Sequence, residues 1–208
     1  MYEHPAERRD IWALILAGGA SRRMGQPKLL LPAPQGSLLK QTIHQALAAG
    51  NVRVAVIAPE SGPLRREHTE GLPIEWLTTA LAERGLGATL AAGVRQLEEH
   101  HTPAAVMILL GDQPEISPEA IRQVTDAFTQ IGAGIVQSRY DDRPAHPVLF
   151  TAELFSELMA LDGDAGAKEL LHLYQDHLYS VRIPGMAPQD IDTPEEYERY
   201  RLKVFPQS

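Results

Sequence analysis

The chain predicts a three-layer α/β/α sandwich built on a mostly parallel, Rossmann-like sheet, and three observations carry that prediction. Three short apolar runs, residues 11–17 (IWALILA), 52–58 (VRVAVIA) and 104–110 (AAVMILL), each lead straight into Gly or Pro. Stretches with apolar residues at helical spacing separate them. Runs this short read as buried strands, and strands alternating with helices pair in parallel through right-handed crossovers.

The first strand, residues 11–17, ends in Gly18-Gly19 and feeds a loop. A helix follows over 37–49, with Leu38, Leu39, Ile43 and Leu47 on one side and Gly50 as its stop. The strand over 52–58 closes at Pro59. A short strand over 74–77 and a helix over 87–99 lead to the strongest strand, 104–110, which stops at Gly111. A helix over 118–129 and a strand over 133–137 complete the regular part. The second half is less regular: a strand over 147–150, helical stretches over 152–161 and 165–174, and a late strand over 178–183. Residues 193–204 close as a helix, with Thr193 as N-cap and Pro194 at its first position. With no internal repeat, low-complexity tract or long linker, residues 1–208 read as one domain, residues 1–10 being an N-terminal extension.

Composition narrows the function. Hydrophobic residues at 44% and charged residues at 22% are ordinary for a globular protein. A net charge of −8 argues against a nucleic-acid partner, which needs clustered Lys and Arg, but leaves room for a mononucleotide site. The absence of cysteine excludes disulfides, thiolate metal sites and cysteine nucleophiles, and the eight histidines show no HExxH spacing. The charged N-terminus, MYEHPAERRD, lacks the apolar run of a signal peptide. No stretch approaches the ~20 apolar residues that span a bilayer. The reading is a cytoplasmic protein with no membrane partner.

One segment reverses the sign of the chain. After the first strand comes LAGGASRRMGQPK, residues 16–28. Gly18 and Gly19 free the backbone to approach a ligand, and consecutive N–H groups can cup phosphate oxygens. Arg22, Arg23 and Lys28 add three positive charges, which points to a polyphosphate. Neither GxGxxG nor GxxxxGK[ST] is present, so the loop is neither the dinucleotide fingerprint nor a P-loop. Asp112, in Gly111-Asp112-Gln113-Pro114, follows the strongest strand, where a carboxylate points into the ligand crevice of an open α/β sheet. Mg²⁺ is usually held by one or two carboxylates plus substrate phosphates. A second carboxylate is offered by Asp190-Ile191-Asp192-Thr193-Pro194, where alternation puts Asp190 and Asp192 on one side if the segment is extended. Either could reach a metal.

The stretch LAGGASRRMGQPKLLLP resembles the signature loop of the nucleotidyltransferases that attach a nucleotide to the molybdenum cofactor. More broadly it is similar to the LAxGxxxRMGxxK loop of the sugar-nucleotide pyrophosphorylases, and the resemblance covers nearly the whole chain. It implies the nucleotide-diphospho-sugar transferase type of sandwich. It also implies an enzyme that joins a nucleoside monophosphate, taken from a triphosphate with Mg²⁺, to a phosphorylated acceptor. Residue by residue, it implies Arg23 and Lys28 as catalytic charge stabilisers. Leu16, Ala17, Gly18, Gly19 and Asp112 would lie against the nucleotide, with Arg22 a weaker candidate. Gly85, in RGLGATL, would lie beside base and sugar. Asp112 and Asp192 would hold the metal, Asp192 being favoured because relatives carry Asn or Asp there. RPAHPV (143–148) and GDAGAK (163–168) match family segments near the acceptor and imply His146 and Asp164 as acceptor-binding. Read alone, His146 is equally a satisfied buried histidine and Asp164 a helix cap.

The acceptor so implied is molybdopterin, with the product passed to a molybdenum hydroxylase of the xanthine dehydrogenase type. The motifs divide over the nucleotide. Gly18-Gly19 is typical of guanylyltransferase relatives, whereas GDQP, HPV, GDAGAK and DIDTP favour the cytidylyl branch, so CTP is expected and GTP is the alternative. A methyl at position 18 would fill space beside the base, and Gly18 leaves that space open. Two other readings stand beside these. A sugar-phosphate acceptor is disfavoured by the short chain, and a non-catalytic nucleotide- or cofactor-binding chaperone by the intact Lys28 and acidic motifs.

Overall fold

The computed structural model describes residues 10–19, 23–164 and 166–206. Its strands are β1 (Ile11–Leu16), β2 (Pro32–Ala33), β3 (Gly36–Ser37), β4 (Arg53–Pro59), β5 (Glu75–Thr79), β6 (Ala105–Leu110), β7 (Ile135–Arg139), β8 (Pro144–Thr151) and β9 (Leu178–Arg182). Its helices are α1 (Leu38–Ala49), α2 (Leu86–His101), α3 (Pro118–Ile131), α4 (Phe155–Met159), α5 (Lys168–Leu173) and α6 (Pro194–Val204). Among the described residues, seven strands form one sheet in the order β5-β4-β1-β6-β8-β7-β9, and β2-β3 make a small hairpin. Within the seven-stranded sheet all pairs are parallel except those made by β8, which runs against β6 and β7.

Alternation along the strands sorts the core into two layers. Ala13 and Ile15 of β1 join Leu39, Ile43 and Ala46 of α1 and Ile121 and Val124 of α3 on one face. Trp12, Leu14 and Leu16 join Leu90, Val94 and Leu97 of α2 with Phe155 and Leu158 of α4 on the other. Full burial of each such side chain contributes about 1.5–3 kcal/mol, so the two layers dominate stability. The helices are bounded by short polar signals. Ser37 accepts a bond from the Lys40 amide at the start of α1, and Gly50 takes the left-handed conformation at its end. Ser117 with Pro118 opens α3 in the same way.

The expected α/β/α sandwich with a mostly parallel sheet is the observed fold, and the differences lie in the second half. The strand expected over 147–150 is twice as long, because β8 is sandwiched between β6 and β7 and pairs along both edges. The helical stretch over 152–161 divides into a 3₁₀ turn, Ala152–Leu154, and the short α4. That over 165–174 contracts to α5, with Ala165 outside the described residues. The β2-β3 hairpin was not anticipated. It positions a third apolar cluster, in which Met24, Leu31 and Leu38 pack against Ile191 and Tyr200. Through it the C-terminal helix α6 is fastened to the loop that follows β1.

Candidate functional site

The end of β1 is stitched to both of its neighbours, β4 and β6, beyond the last ladder pairs. Ala17 N–H donates to the Ile57 carbonyl at 2.9 Å, and Gly111 N–H to the Leu16 carbonyl at 3.0 Å. The glycine-rich loop and Asp112 therefore leave the sheet side by side, at the carboxyl edge where open α/β sheets bind ligands. Leu16 and Ala17 are buried, Gly18 is half-buried and Gly19 is exposed. Gly19 and Gly25 take φ of +116° and +70°, a region that favours glycine. Between them Met24 is buried against α6, so the loop is held at its middle. Arg22 lies outside the described residues.

Lys28 opens a 3₁₀ turn, Lys28–Leu30, and its side chain turns inward. Its Nζ lies 2.5 Å from Asp112 Oδ2 and 2.6 Å from Asp192 Oδ1, and Arg23 reaches Asp192 Oδ2 at 2.7 Å. Asp192 comes to this point because its segment is pinned on both sides. Ile191 N–H donates to the Asp112 carbonyl at 3.0 Å. Glu196 accepts from the Asp192 amide at 2.8 Å and the Thr193 amide at 2.9 Å, while the Thr193 side chain accepts from the Glu196 amide, a capping box at the start of α6. These bonds hold the Glu196 carboxyl below its ordinary value.

The electrostatics are those of an anionic site with a cation lodged in it. Burial opposes the Lys28 charge, yet Asp112 and Asp192 more than offset it and raise the lysine pKa. Burial raises Asp112, and the neighbouring Asp190 and Asp192 add to the rise against the pull of Lys28. For Asp192 burial is outweighed by Lys28 and Arg23, and its carboxyl is held below the usual range. The Lys28 contact opposes the rise at Asp112, and the Asp112 contact favours the lysine's charge.

A divalent cation fits this place. Asp112 Oδ1 is buried without a hydrogen-bond partner, and two carboxylates already converge on one positive centre. Among the described residues, no three or more His, Cys, Asp and Glu side chains group to hold a metal ion. The remaining ligands would come from substrate phosphates and water, the usual arrangement for Mg²⁺.

The other candidates lie around this centre. Gly85, with φ +119°, caps the start of α2, and a side chain there would collide with Asp164 Oδ1 and the Gly163 backbone. Gly87 N–H donates to the Gly163 carbonyl at 2.8 Å, and Arg84 pairs with Asp162. Gly85 and Asp164, expected on the nucleotide and acceptor sides respectively, are thus in one contact. His146 occupies a bulge: Ala145 pairs with Ser138 and Val148 with Gln137, leaving His146 and Pro147 unmatched on β8. Its carbonyl accepts from the Tyr140 hydroxyl at 3.0 Å. Burial depresses the half-buried ring to about 4, with Asp190 opposing that and Lys168 adding to it.

A cleft of about 570 Å³ opens beside Lys28, walled by Ala17, Gly19, Pro59, Leu64 and Glu83. That is within the range for small-molecule sites. A second hollow of about 350 Å³, between Arg66 and Trp76, contains none of the candidate residues. Sequence reasoning missed the cleft wall after β4, the Met24 anchor, Gln113 and Glu196. The Thr193-x-x-Glu196 spacing is a capping-box signature and would have found the last of these.

Comparison with known proteins places this geometry. The chain is 28% identical over 207 residues to the purine catabolism protein PucB of Bacillus subtilis, covering 90% of this chain and 94% of that protein. It is 26% identical over 192 residues to the molybdenum cofactor cytidylyltransferase of Escherichia coli, covering 90% and 95%. Among solved structures, Rv0371c of Mycobacterium tuberculosis superposes with a TM-score of 0.81 at 29% identity, covering 91% of this chain and 96% of that one. A manganese complex of the same protein superposes with a TM-score of 0.77 at 26% identity, covering 91% and 97%. The family model for the MobA-like NTP transferase domain matches residues 13–178. The chain is a nucleotidyltransferase and belongs to the MobA-like NTP transferase family.

Proposed function

We propose that this protein transfers CMP from CTP, with Mg²⁺, to a molybdopterin-type acceptor and releases pyrophosphate. The observation that carries the reading is the convergence of Asp112 and Asp192 on Lys28, which itself lines the cleft of about 570 Å³. An acceptor phosphate oxygen attacks the α-phosphorus in line, the new P–O bond forms there, and the bond to the β-phosphate oxygen breaks. Such chemistry needs positioning and charge neutralisation and no covalent protein nucleophile. Asp112 and Asp192 would hold the cation, which when bound neutralises phosphate charge. Lys28 then exchanges its carboxylate contacts for phosphate oxygens, and Arg23 covers the departing pyrophosphate from the exposed side of the loop. Leu16, Ala17, Gly18, Gly19 and Gly85 line the nucleotide. His146 and Asp164, with exposed Lys168 near the histidine, face the acceptor.

The nucleotide and acceptor follow from the later motifs and from the likeness to the Escherichia coli cytidylyltransferase. The test is incubation with CTP, GTP or ATP, each with Mg²⁺ or Mn²⁺ and molybdopterin, followed by mass analysis of the product. A CMP conjugate and pyrophosphate are expected. A GMP conjugate as main product would transfer the reading to guanylyl transfer, and turnover only with a sugar phosphate would reject the acceptor.

A further inference from the structure

Gln113 stands directly after Asp112, is 5% exposed, and is not used by the reaction as described above. Its Nε2 donates to Asp190 Oδ1 at 2.7 Å. The orientation is dictated by the partner, because a carboxylate only accepts. The amide's other end, Oε1, is buried with no partner. A residue kept for packing alone would avoid an orphaned carbonyl, since a buried polar atom without a bond is unfavourable and calls for an explanation. The bond to Asp190 fixes the amide this way round, since turning it would set Oε1 against a carboxylate.

Residues 190, 191 and 192 are each tied by a separate bond. Asp190 is held through its side chain by Gln113, Ile191 through its amide by the Asp112 carbonyl, and Asp192 through its amide by Glu196. The two aspartates therefore take different partners, although alternation alone would pair them. Asp192 meets Lys28 and Arg23, while Asp190 faces an uncharged donor. A neutral amide is what lets a third carboxylate stay near Asp112 and Asp192 without diverting either cation. We infer that Gln113 is a positioning residue for nucleotidyl transfer: through Asp190 it fixes Asp192 against Asp112, and Asp190 is its anchor and not a metal ligand. The inference rests on the reading of Asp112 and Asp192 as the metal-holding pair.

The test uses the full chain and three changes. Gln113→Leu removes the orphaned carbonyl, and exposed Asp190 can turn to water, so the melting temperature is expected to hold. Turnover is expected to fall roughly 10–100-fold, the loss typical of groups that orient metal ligands. Without metal or nucleotide, amide hydrogen exchange in the peptide 188–194 should be faster. Gln113→Glu should lose more, because two carboxylates then face each other. Adding Asp190→Asn to it recreates the bond with its direction reversed and should recover about tenfold or more. Undiminished turnover in Gln113→Leu overturns the inference. So does a swapped pair no more active than Gln113→Glu, since Asp190 would then be needed as a carboxylate. If Asp112→Ala itself retains turnover, the failure belongs to the metal reading and not to Gln113.

Discussion

The two sides of the site are built differently. On the phosphate side, Lys28, Asp112 and Asp192 come from three separate places in the chain and are locked by mutual ion pairs, a backbone bond and a capping box. On the proposed acceptor side, His146 sits on a bulge and Asp164 is exposed, and among the described residues the loop around residue 163 is held by a backbone bond from Gly87 and an exposed ion pair. Exposed ion pairs contribute little, typically ~0–1 kcal/mol, whereas the charged groups on the phosphate side are partly desolvated. On the proposed roles, the reacting phosphates would meet a preformed electrostatic site and the acceptor a surface able to adjust. Substitutions on the first side should therefore change kcat steeply, and on the second change binding or pH response.

The largest effect is expected from Asp112→Ala. It removes a carboxylate aimed into the site, and turnover should be abolished while the protein remains folded. Lys28 keeps Asp192 at 2.6 Å, so the stability cost should stay below the ~3–5 kcal/mol of a fully orphaned buried charge. Activity and thermal melting measured together decide the matter: near-normal turnover in a folded variant removes Asp112 from the chemistry.

Lys28→Ala should come next, with at least ~10²-fold lower kcat, the ~2.7 kcal/mol scale of one preorganised electrostatic group. Steady-state kinetics separate two roles. A raised KM for nucleotide with kcat intact would make Lys28 a uniform binder, and the two sides of the site would differ less than their geometry suggests.

The same contrast explains what the sequence made legible. The parallel half is written in uninterrupted apolar runs, because strands buried on both faces need no alternation, and β1, β4 and β6 fall where expected. The β8 run is broken by the His146-Pro147 bulge, and β9 is a half-exposed edge with Tyr179 and Arg182 outward, so neither carries a strong pattern. Lys28 and Asp112 were visible because each sits at a strand or loop end with diagnostic neighbours. Gln113 was not, because its role depends on a partner 77 residues away. Asp190 and Asp192 looked equivalent for the same reason.

A smaller effect, confined to the acceptor side, is expected from pH. Burial favours the neutral His146 ring, and its folded value of about 4 lies below the 6.5 of an unperturbed histidine. The unfolded chain therefore takes up a proton through that window while the folded one does not. The histidine's contribution to stability is fully present above 6.5 and is lost as pH falls towards 4. His146→Gln should flatten the pH dependence of the melting temperature between those values by up to about one proton. An unchanged slope would mean that the ring is solvated and free to charge.

The smallest effect is expected at Gly18, where the structure supplies a neighbour that the sequence did not reveal. A methyl at position 18 would point into α2, 3.2 Å from Thr89 Oγ1 and 3.4 Å from Thr89 Cγ2. Thr89 is 1% exposed, and its hydroxyl donates to the Gly85 carbonyl at 3.0 Å, so the pressure passes to the turn that opens α2. Gly18→Ala should thus raise KM for CTP and GTP together, through Gly85, and leave their ratio nearly unchanged. A methyl in direct contact with a base is worth ~1–3 kcal/mol of discrimination, about 10-fold or more. The ratio of kcat/KM for CTP and GTP should move well under that. Thr89→Ser, added to Gly18→Ala, frees the hydroxyl to rotate away and should restore part of the loss. A shift in the CTP-to-GTP ratio of about tenfold or more, unaffected by Thr89→Ser, would show that position 18 reaches the base directly.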